Sequence, residues 1–381
     1  MIRLQAILYR VLLSRYRVGI KKTFKKFFDK IIDQNPESKK SYNKDALKKW
    51  LQKWSVFGMK PNTDLYGFYR CSIGDDENIV PNDIARNYIE PILTPQDYQP
   101  FYNDKNSFSI FLDKSMMPKT YFRSVNGILY DEEYRAIKCD DLNEIIKDAK
   151  SLIVKPSKEM GGKGIVVFNK QNDKFIDQDN NILTYDFLYR NYKSNYLVQE
   201  RIEQSDFMAQ FNSTSVNTMR IAVYRDIKNG ELVLLGGFLR IGGKGAVVDN
   251  ITSGGASVPI DVINGHLGKY ASDKTRVKHD SYNAINFNKS NFAIPNWDKV
   301  VLFVQEVARR MPHMSLFAND VALDKDNNPI LIEVNTTDFS YTSYQVSGKP
   351  FFGDYTDELI KYCVEKNKKI NPSIIMSKRV L

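Results

Sequence analysis

At 381 residues, 42% of them hydrophobic, the chain is long enough for two or three subdomains and carries enough apolar material for a substantial core. Its three cysteines, Cys71, Cys139 and Cys363, are widely spaced and form no CxxC pair, which excludes a disulfide framework and a cysteine zinc site and fits a reducing, cytoplasmic setting; the scattered His266, His279 and His313 exclude a recognisable nucleophile triad or His-ligated metal. The net charge of +10 is concentrated, because residues 1–30 hold nine Lys and Arg against Asp29 alone and the rest of the chain is near +2, a distribution unlike that of a nucleic-acid binder.

In chain order, residues 1–35 repeat apolar side chains as Leu4, Ile7, Leu8, Val11 and Leu12, then Phe24, Phe27, Phe28 and Ile31, a helical spacing with a basic opposite face. Such a segment suits an anionic membrane surface or an acidic partner; the alternative is a helix docked on its own domain with a solvated basic face. Arg10 interrupts the apolar run, against a secretory signal, and no stretch approaches bilayer-spanning length. Residues 36–110 read as helical and irregular, punctuated by Pro61, Pro81, Pro91, Pro95 and Pro100.

From about residue 110 the pattern predicts a short helix around Asp113–Met117, strands at Thr120–Val125 and Ile128–Tyr130, and a helix over Asp141–Ala149. Strands at Ser151–Lys155 and Ile165–Asn169, a helix at Tyr185–Tyr192 and a strand at Tyr196–Glu200 follow. Long strands at Thr218–Arg225 and Leu232–Ile241, an amphipathic helix at Trp297–Met311 and a last helix over about Asp354–Asn367 complete the series. This order predicts an α+β fold of two lobes, 111–200 and 201–366, behind the helical N-terminal region, with 367–381 as a tail.

Between the last two helices, Asn319–Leu323 and Ile330–Asn335 flank the turn-rich Asp324–Pro329 and read as a hairpin. A two-residue turn at Asp326-Asn327 would set Lys325 against Asn328 and, further out, Asp320 against Glu333. Asn335 shares the Glu333 face, so three oxygen-bearing groups converge, a set suited to Mg²⁺; Val321, Leu323, Ile330 and Ile332 would face the core. Alone, such acids also describe a solvated ribbon face.

Upstream, the strand ending at Lys155 runs into Pro156-Ser157-Lys158-Glu159-Met160-Gly161-Gly162-Lys163-Gly164. A glycine-rich loop between strands lets backbone N–H groups close over phosphate oxygens, with Lys155 as a fixed positive charge; the spacing is not that of a P-loop.

The series Asp113-Lys114, Val154-Lys155-Pro156-Ser157, glycine loop, Tyr196–Ile202, and Asp320 with Glu333-Val334-Asn335 resembles the ATP-grasp superfamily, including D-alanine:D-alanine ligases. With Gln199, Ser215–Ile221 and Phe317–Ala322 it is similar to the sugar-transfer-associated, teichuronopeptide-type branch found with surface-polysaccharide genes, over roughly residues 105–365. The resemblance implies an ATP-grasp fold and ATP with Mg²⁺ as cofactors. It implies Lys114 and Lys155 on the phosphates, Gly161, Gly162, Lys163 and Gly164 covering them, Gln199, Glu200 and Ile202 at adenine, and Glu203 or Asp206 at ribose. Asp320, Glu333 and Asn335 would bind the metal. Residues 1–110 lack the alternating strand–helix pattern that precedes the fold in relatives.

Arg220, Arg240 and Asn250 resemble the acceptor-end residues of amino-acid-ligating members, except that Asp249 stands where a basic residue is usual. The implied reaction is ATP-dependent joining of a small-molecule or saccharide carboxylate to an amine through an acyl phosphate, in capsular or related polysaccharide synthesis; phosphoryl transfer to a hydroxyl, or a non-enzymatic ATP-binding assembly role, are the alternatives. One obstacle stands in the register. A two-residue turn at Asn229-Gly230 would put Arg220 against Leu239, leaving Arg220 and Arg240 on opposite faces unless an extra residue or a bulge at Gly236-Gly237 intervenes.

Overall fold

The computed structural model describes residues 2–39, 43–159, 161–337 and 339–369; Met160 of the glycine loop and most of the expected tail lie outside the described residues. Two antiparallel sheets organise the chain. The first has six strands in the order β2-β1-β6-β3-β4-β5, formed by β1 (Thr120–Val125), β2 (Ile128–Tyr130), β3 (Ser151–Pro156), β4 (Val166–Gln171), β5 (Lys174–Ile176) and β6 (Tyr196–Glu200). In β3 the two-residue period buries Leu152 and Val154 completely, in a core with Phe122, Phe168, Leu188 and Val198. That period sends Ile153 and Lys155 to the opposite face, where Gln199 pairs across from Ile153. The helix Tyr185–Tyr192, capped by the Thr184 hydroxyl, covers the core side through Leu188.

The second sheet has seven strands in the order β11-β10-β9-β8-β7-β14-β15. They are β7 (Thr218–Arg225), β8 (Leu232–Ile241), β9 (Ala256–Ile260), β10 (Ala271–Ser272), β11 (Lys278–His279), β14 (Leu316–Leu323) and β15 (Pro329–Asn335), while β12 (Ser281–Tyr282) and β13 (Ile285–Asn286) form a separate small hairpin. The helix Trp297–Arg309 buries Val300, Val304 and Val307 at intervals of four and three. The N-terminal helices α1 (Ile2–Gln34), α2 (Lys44–Trp54) and α3 (Thr63–Ile73) do not form a core of their own: Phe28, Trp50, Trp54, Tyr66 and Tyr69 belong to the same buried cluster as Met219, Tyr224 and Leu316. The helix expected over 141–149 is only Leu142–Ile145, because the chain turns at Ile146 to enter β3.

Two bulges set the registers that matter. The β7–β8 connection is a four-residue loop, closed by Asp226 N donating to Glu231 O at 2.8 Å. From there Tyr224 pairs with Val233 and Val223 with Leu234; Leu235 is then skipped, and Ala222 pairs with Gly236, Arg220 with Phe238 and Thr218 with Arg240. The extra residue puts Arg220 and Arg240 on one face, the shift that a shared site requires. Gly236 beside the bulge has a steric reason, since a Cβ there would lie 3.1 Å from the Tyr344 ring.

In the β14–β15 hairpin, Asp324 N donates to Asn328 O at 2.9 Å across a three-residue loop whose Asn327 is left-handed, at φ 60°. Val321 therefore faces Leu331, and a bulge at Ile332 brings Asp320 opposite Glu333. Val321, Leu323 and Leu331 are core, but Ile330 and Ile332 are not the core residues that simple alternation predicts: both are half-buried, and the bulge turns Ile332 to the same side as Glu333.

Candidate active site

The faces that β3, β4 and β6 turn away from their core meet the face of β7, β8, β14 and β15 across a cleft. One end is apolar, lined by Ile153, Ile165, Val167 and Ile332, and edged by the connecting strand Gln199–Ile202. That shape suits a flat, weakly polar ring with backbone groups at its rim. The other end holds Lys155, Gly161, Gly162, Thr218, Arg220, Arg240, Asp249, Asn250, Asp320 and Glu333.

Asp320, 2% exposed, is gripped from two neighbouring strands: its oxygens accept from Arg220 Nε and Nη2, each at 2.7 Å, and from Arg240 Nη1 at 2.5 Å. Burial alone would raise its pKa, but the two guanidiniums outweigh that and hold the carboxyl below the usual range. Arg240 Nη2 also pairs with Asp249 at 3.1 Å, and Asp249 accepts from the Thr218 N–H at 3.0 Å and from the Thr218 hydroxyl. Burial raises the Asp249 pKa, with Arg240 opposing. Asp249 thus anchors Arg240 through Nη2 while Asp320 takes Nη1.

Glu333 accepts from Lys105 Nζ at 2.9 Å, and the same ammonium donates to Glu159 O at 3.0 Å. Lys155 is 6% exposed; burial, reinforced by repulsion from Lys105 and only partly relieved by Glu333, pushes its pKa down to about 7. A buried amine near neutrality beside a second lysine is a place prepared for an anion. Above it, Gly161 and Gly162 have φ of 70° and 76°, the left-handed region that favours glycine, so their backbone turns over the polar end. Asn250 Nδ2 donates to Gly161 O at 2.8 Å, tying this loop to the other lobe, and its Oδ1 accepts from Thr252 N at 3.2 Å.

Asp320, Glu333 and Asn335 offer two carboxylates and an amide on one face, with no group of three or more His, Cys, Asp and Glu able to cage a metal among the described residues. Hard oxygens in that small number fit Mg²⁺, which takes its remaining positions from phosphate and water.

Residues 93–353, more than half of the chain, match the family described as sugar-transfer associated ATP-grasp. The chain belongs to that family. Its two gripping sheets are the ATP-grasp fold of that family. Among solved structures this ATP-grasp chain is similar to N5-carboxyaminoimidazole ribonucleotide synthetase from Thermotoga maritima, at 11% identity over 67% of this chain and 49% of that one, with a TM-score of 0.36. It is similar also to D-alanyl-alanine synthetase A from Vibrio cholerae, at 14% identity over 71% and 66% with a TM-score of 0.38, and to an L-amino acid ligase from Bacillus licheniformis, at 12% over 72% and 51% with 0.39. It spans about half the length of the first and third of these. No curated protein sequence matches it.

Within this ATP-grasp cleft the structure gathers Lys155, Gly161, Gly162, Gln199, Glu200, Ile202, Arg220, Arg240, Asn250, Asp320 and Glu333, with Asn335 buried beside them on β15. It does not gather Lys114, which is half exposed and paired with Glu133 and, at 3.4 Å, Glu132. The lysine that reaches the cleft belongs to an Asp-Lys pair nine residues upstream, Asp104-Lys105, where the chain crosses the glycine loop and Lys105 N donates to Ser157 O at 2.9 Å. Lys163 and Gly164 lie exposed at the loop's outer side. Glu203 lines an adjoining cavity beside the connecting strand, and Asp206 is exposed in the first turn of the short helix Asp206–Ala209, away from the cleft. Beyond Lys105, sequence reasoning passed over Thr218 and the apolar lining. Strand alternation around Lys155 could have found Ile153, but Ile332 depends on the bulge.

Proposed function

We propose that the chain is an ATP- and Mg²⁺-dependent carboxylate–amine ligase that joins a carboxylate-bearing sugar or amino acid to an amine, in capsular or other cell-surface polysaccharide synthesis. The observation that carries the reading is the convergence of Arg220 and Arg240 with Lys155, Lys105, Asp320 and Glu333 at one end of the cleft. The family's sugar-transfer description supports the saccharide setting.

In the proposed reaction a substrate carboxylate oxygen attacks the γ-phosphorus of ATP, ADP leaves, and an acyl phosphate forms. The amine then attacks the acyl carbon, inorganic phosphate leaves, and the nitrogen loses a proton to give the amide. Both steps build negative charge on oxygens at the cleft's polar end. The forks of Arg220 and Arg240 are already oriented by Asp320 and Asp249, so they stabilise that charge without first having to be ordered. Lys105 and Lys155 serve the phosphates, and the Gly161–Gly162 backbone closes over them. Held by Asp320, Glu333 and Asn335, Mg²⁺ would neutralise the transferring phosphoryl group.

Pairs of uronates or amino acids with amines, scanned for ADP release, test the reading. ADP should appear only when both partners are present, with an amide as the product by mass spectrometry. A stable phosphorylated product formed on a hydroxyl, with no amine needed, would replace the ligase by a phosphotransferase.

A further inference from the structure

Helix α1 spans Ile2–Gln34 and presents two distinct stripes. Leu13, Phe24, Phe28 and Ile31, with Arg17, recur at intervals of three, four and seven and face the body; Leu13, Phe28 and Ile31 are buried there, and the Arg17 guanidinium lies 4.0 Å over the Tyr88 ring. On the opposite side Ile7, Val11, Val18 and Lys22 recur at four and seven, and Leu8, Arg15, Lys22 and Lys26 at seven and four, so these seven positions share the outward stripe. The apolar members are open: Ile7 is 60% exposed, Leu8 57%, Val11 47% and Val18 48%. All the cations of the stripe are exposed too. Three large apolar side chains within one and a half turns, followed by Arg15, Lys22 and Lys26 along the same line, form a surface with two chemistries in sequence.

We infer that this stripe docks on an anionic lipid bilayer, with Ile7, Leu8 and Val11 entering the boundary between headgroups and acyl chains and Arg15, Lys22 and Lys26 lying over acidic headgroups. The charge distribution decides the occupant. Residues 1–30 hold nine Lys and Arg against one acid, so a second copy of the same surface would be repelled, whereas an acidic membrane surface attracts it. The apolar triplet decides against a purely electrostatic partner such as a nucleic acid, which would leave Ile7, Leu8 and Val11 in water. Among the described residues no helix is long and apolar enough to cross a membrane, so the helix lies on the surface rather than through it.

Flotation of the full chain with vesicles of phosphatidylcholine alone, or with about a third phosphatidylglycerol, tests this. Wild type should float with the anionic vesicles only, more weakly as salt is raised. Replacing Ile7, Leu8 and Val11 together by Ser should weaken binding at least about tenfold, and each of Arg15→Glu, Lys22→Glu and Lys26→Glu by at least about fivefold. An unchanged melting temperature and unchanged nucleotide affinity would confirm that the variants fold. The inference is overturned if wild type ignores anionic vesicles, or if the Ser triple variant floats like wild type. It is equally overturned if wild type forms a dimer in solution that the same triple substitution dissolves.

Discussion

Lys155 carries a cost that can be measured. Its amine is buried and its pKa is pushed from 10.5 to about 7, so the folded protein binds fewer protons than the unfolded chain between those values. Stability therefore rises with pH through that window, and the full penalty, roughly 5 kcal/mol as an upper bound, applies below pH 7. A Lys155→Met substitution keeps the volume and removes the charge. Urea unfolding at pH 6 should find the variant more stable than wild type, and its advantage should shrink by roughly 2.5 kcal/mol by pH 9 as the native lysine is relieved. The same residue couples nucleotide binding to protons. Above pH 7 the Lys155 amine loses its proton, so phosphate binding that restores the ammonium should draw in a fraction of a proton per site that grows as pH is raised toward 9, read from the buffer dependence of the binding enthalpy. A stability difference independent of pH, or a variant less stable than wild type at pH 6, would refute the reasoning.

Arg240→Lys keeps a charge but loses the fork that spans Asp320 and Asp249; turnover should fall at least about tenfold, with the second sheet still formed by circular dichroism. By calorimetry, Lys105→Met should weaken nucleotide binding at least about tenfold, while Lys114→Met should leave it unchanged. Asn250→Ala breaks the tie to Gly161 and should cost about fivefold in nucleotide affinity, with faster amide hydrogen exchange at Gly161 and Gly162.

Most strands of the two lobes were legible because their β-branched and aliphatic runs are bounded by clear turn residues; the predicted Thr120–Val125, Tyr196–Glu200, Thr218–Arg225 and Leu232–Ile241 coincide with β1, β6, β7 and β8. The Asp320–Glu333 pairing was legible for a reason that only half holds. A two-residue turn and a perfect ladder give the same partner as the observed three-residue loop plus a bulge, since the two one-residue offsets cancel. The cancellation leaves a trace at Ile330 and Ile332, which alternation assigns to the core and the bulge exposes to the two cavities. The arginine pair exposed the converse case, where the ladder without a bulge contradicts the chemistry and the contradiction itself points to the extra residue near Gly236. Lys105 was not legible, because two Asp-Lys pairs lie nine residues apart and only the path of the chain over Ser157 chooses between them. The N-terminal region was legible as helical only in outline, with the amphipathic spacing of residues 1–35 as its one delimited segment, and its fusion with the second lobe's core depends on packing partners hundreds of residues away.

Oxygen-18 in the substrate carboxylate tests the central claim most directly. Turnover with ATP and an amine should place one labelled oxygen in the released inorganic phosphate, because the acyl phosphate breaks at the acyl carbon. Label retained entirely in the organic product, or phosphate transferred to a hydroxyl with no amine consumed, would contradict a carboxylate–amine ligase.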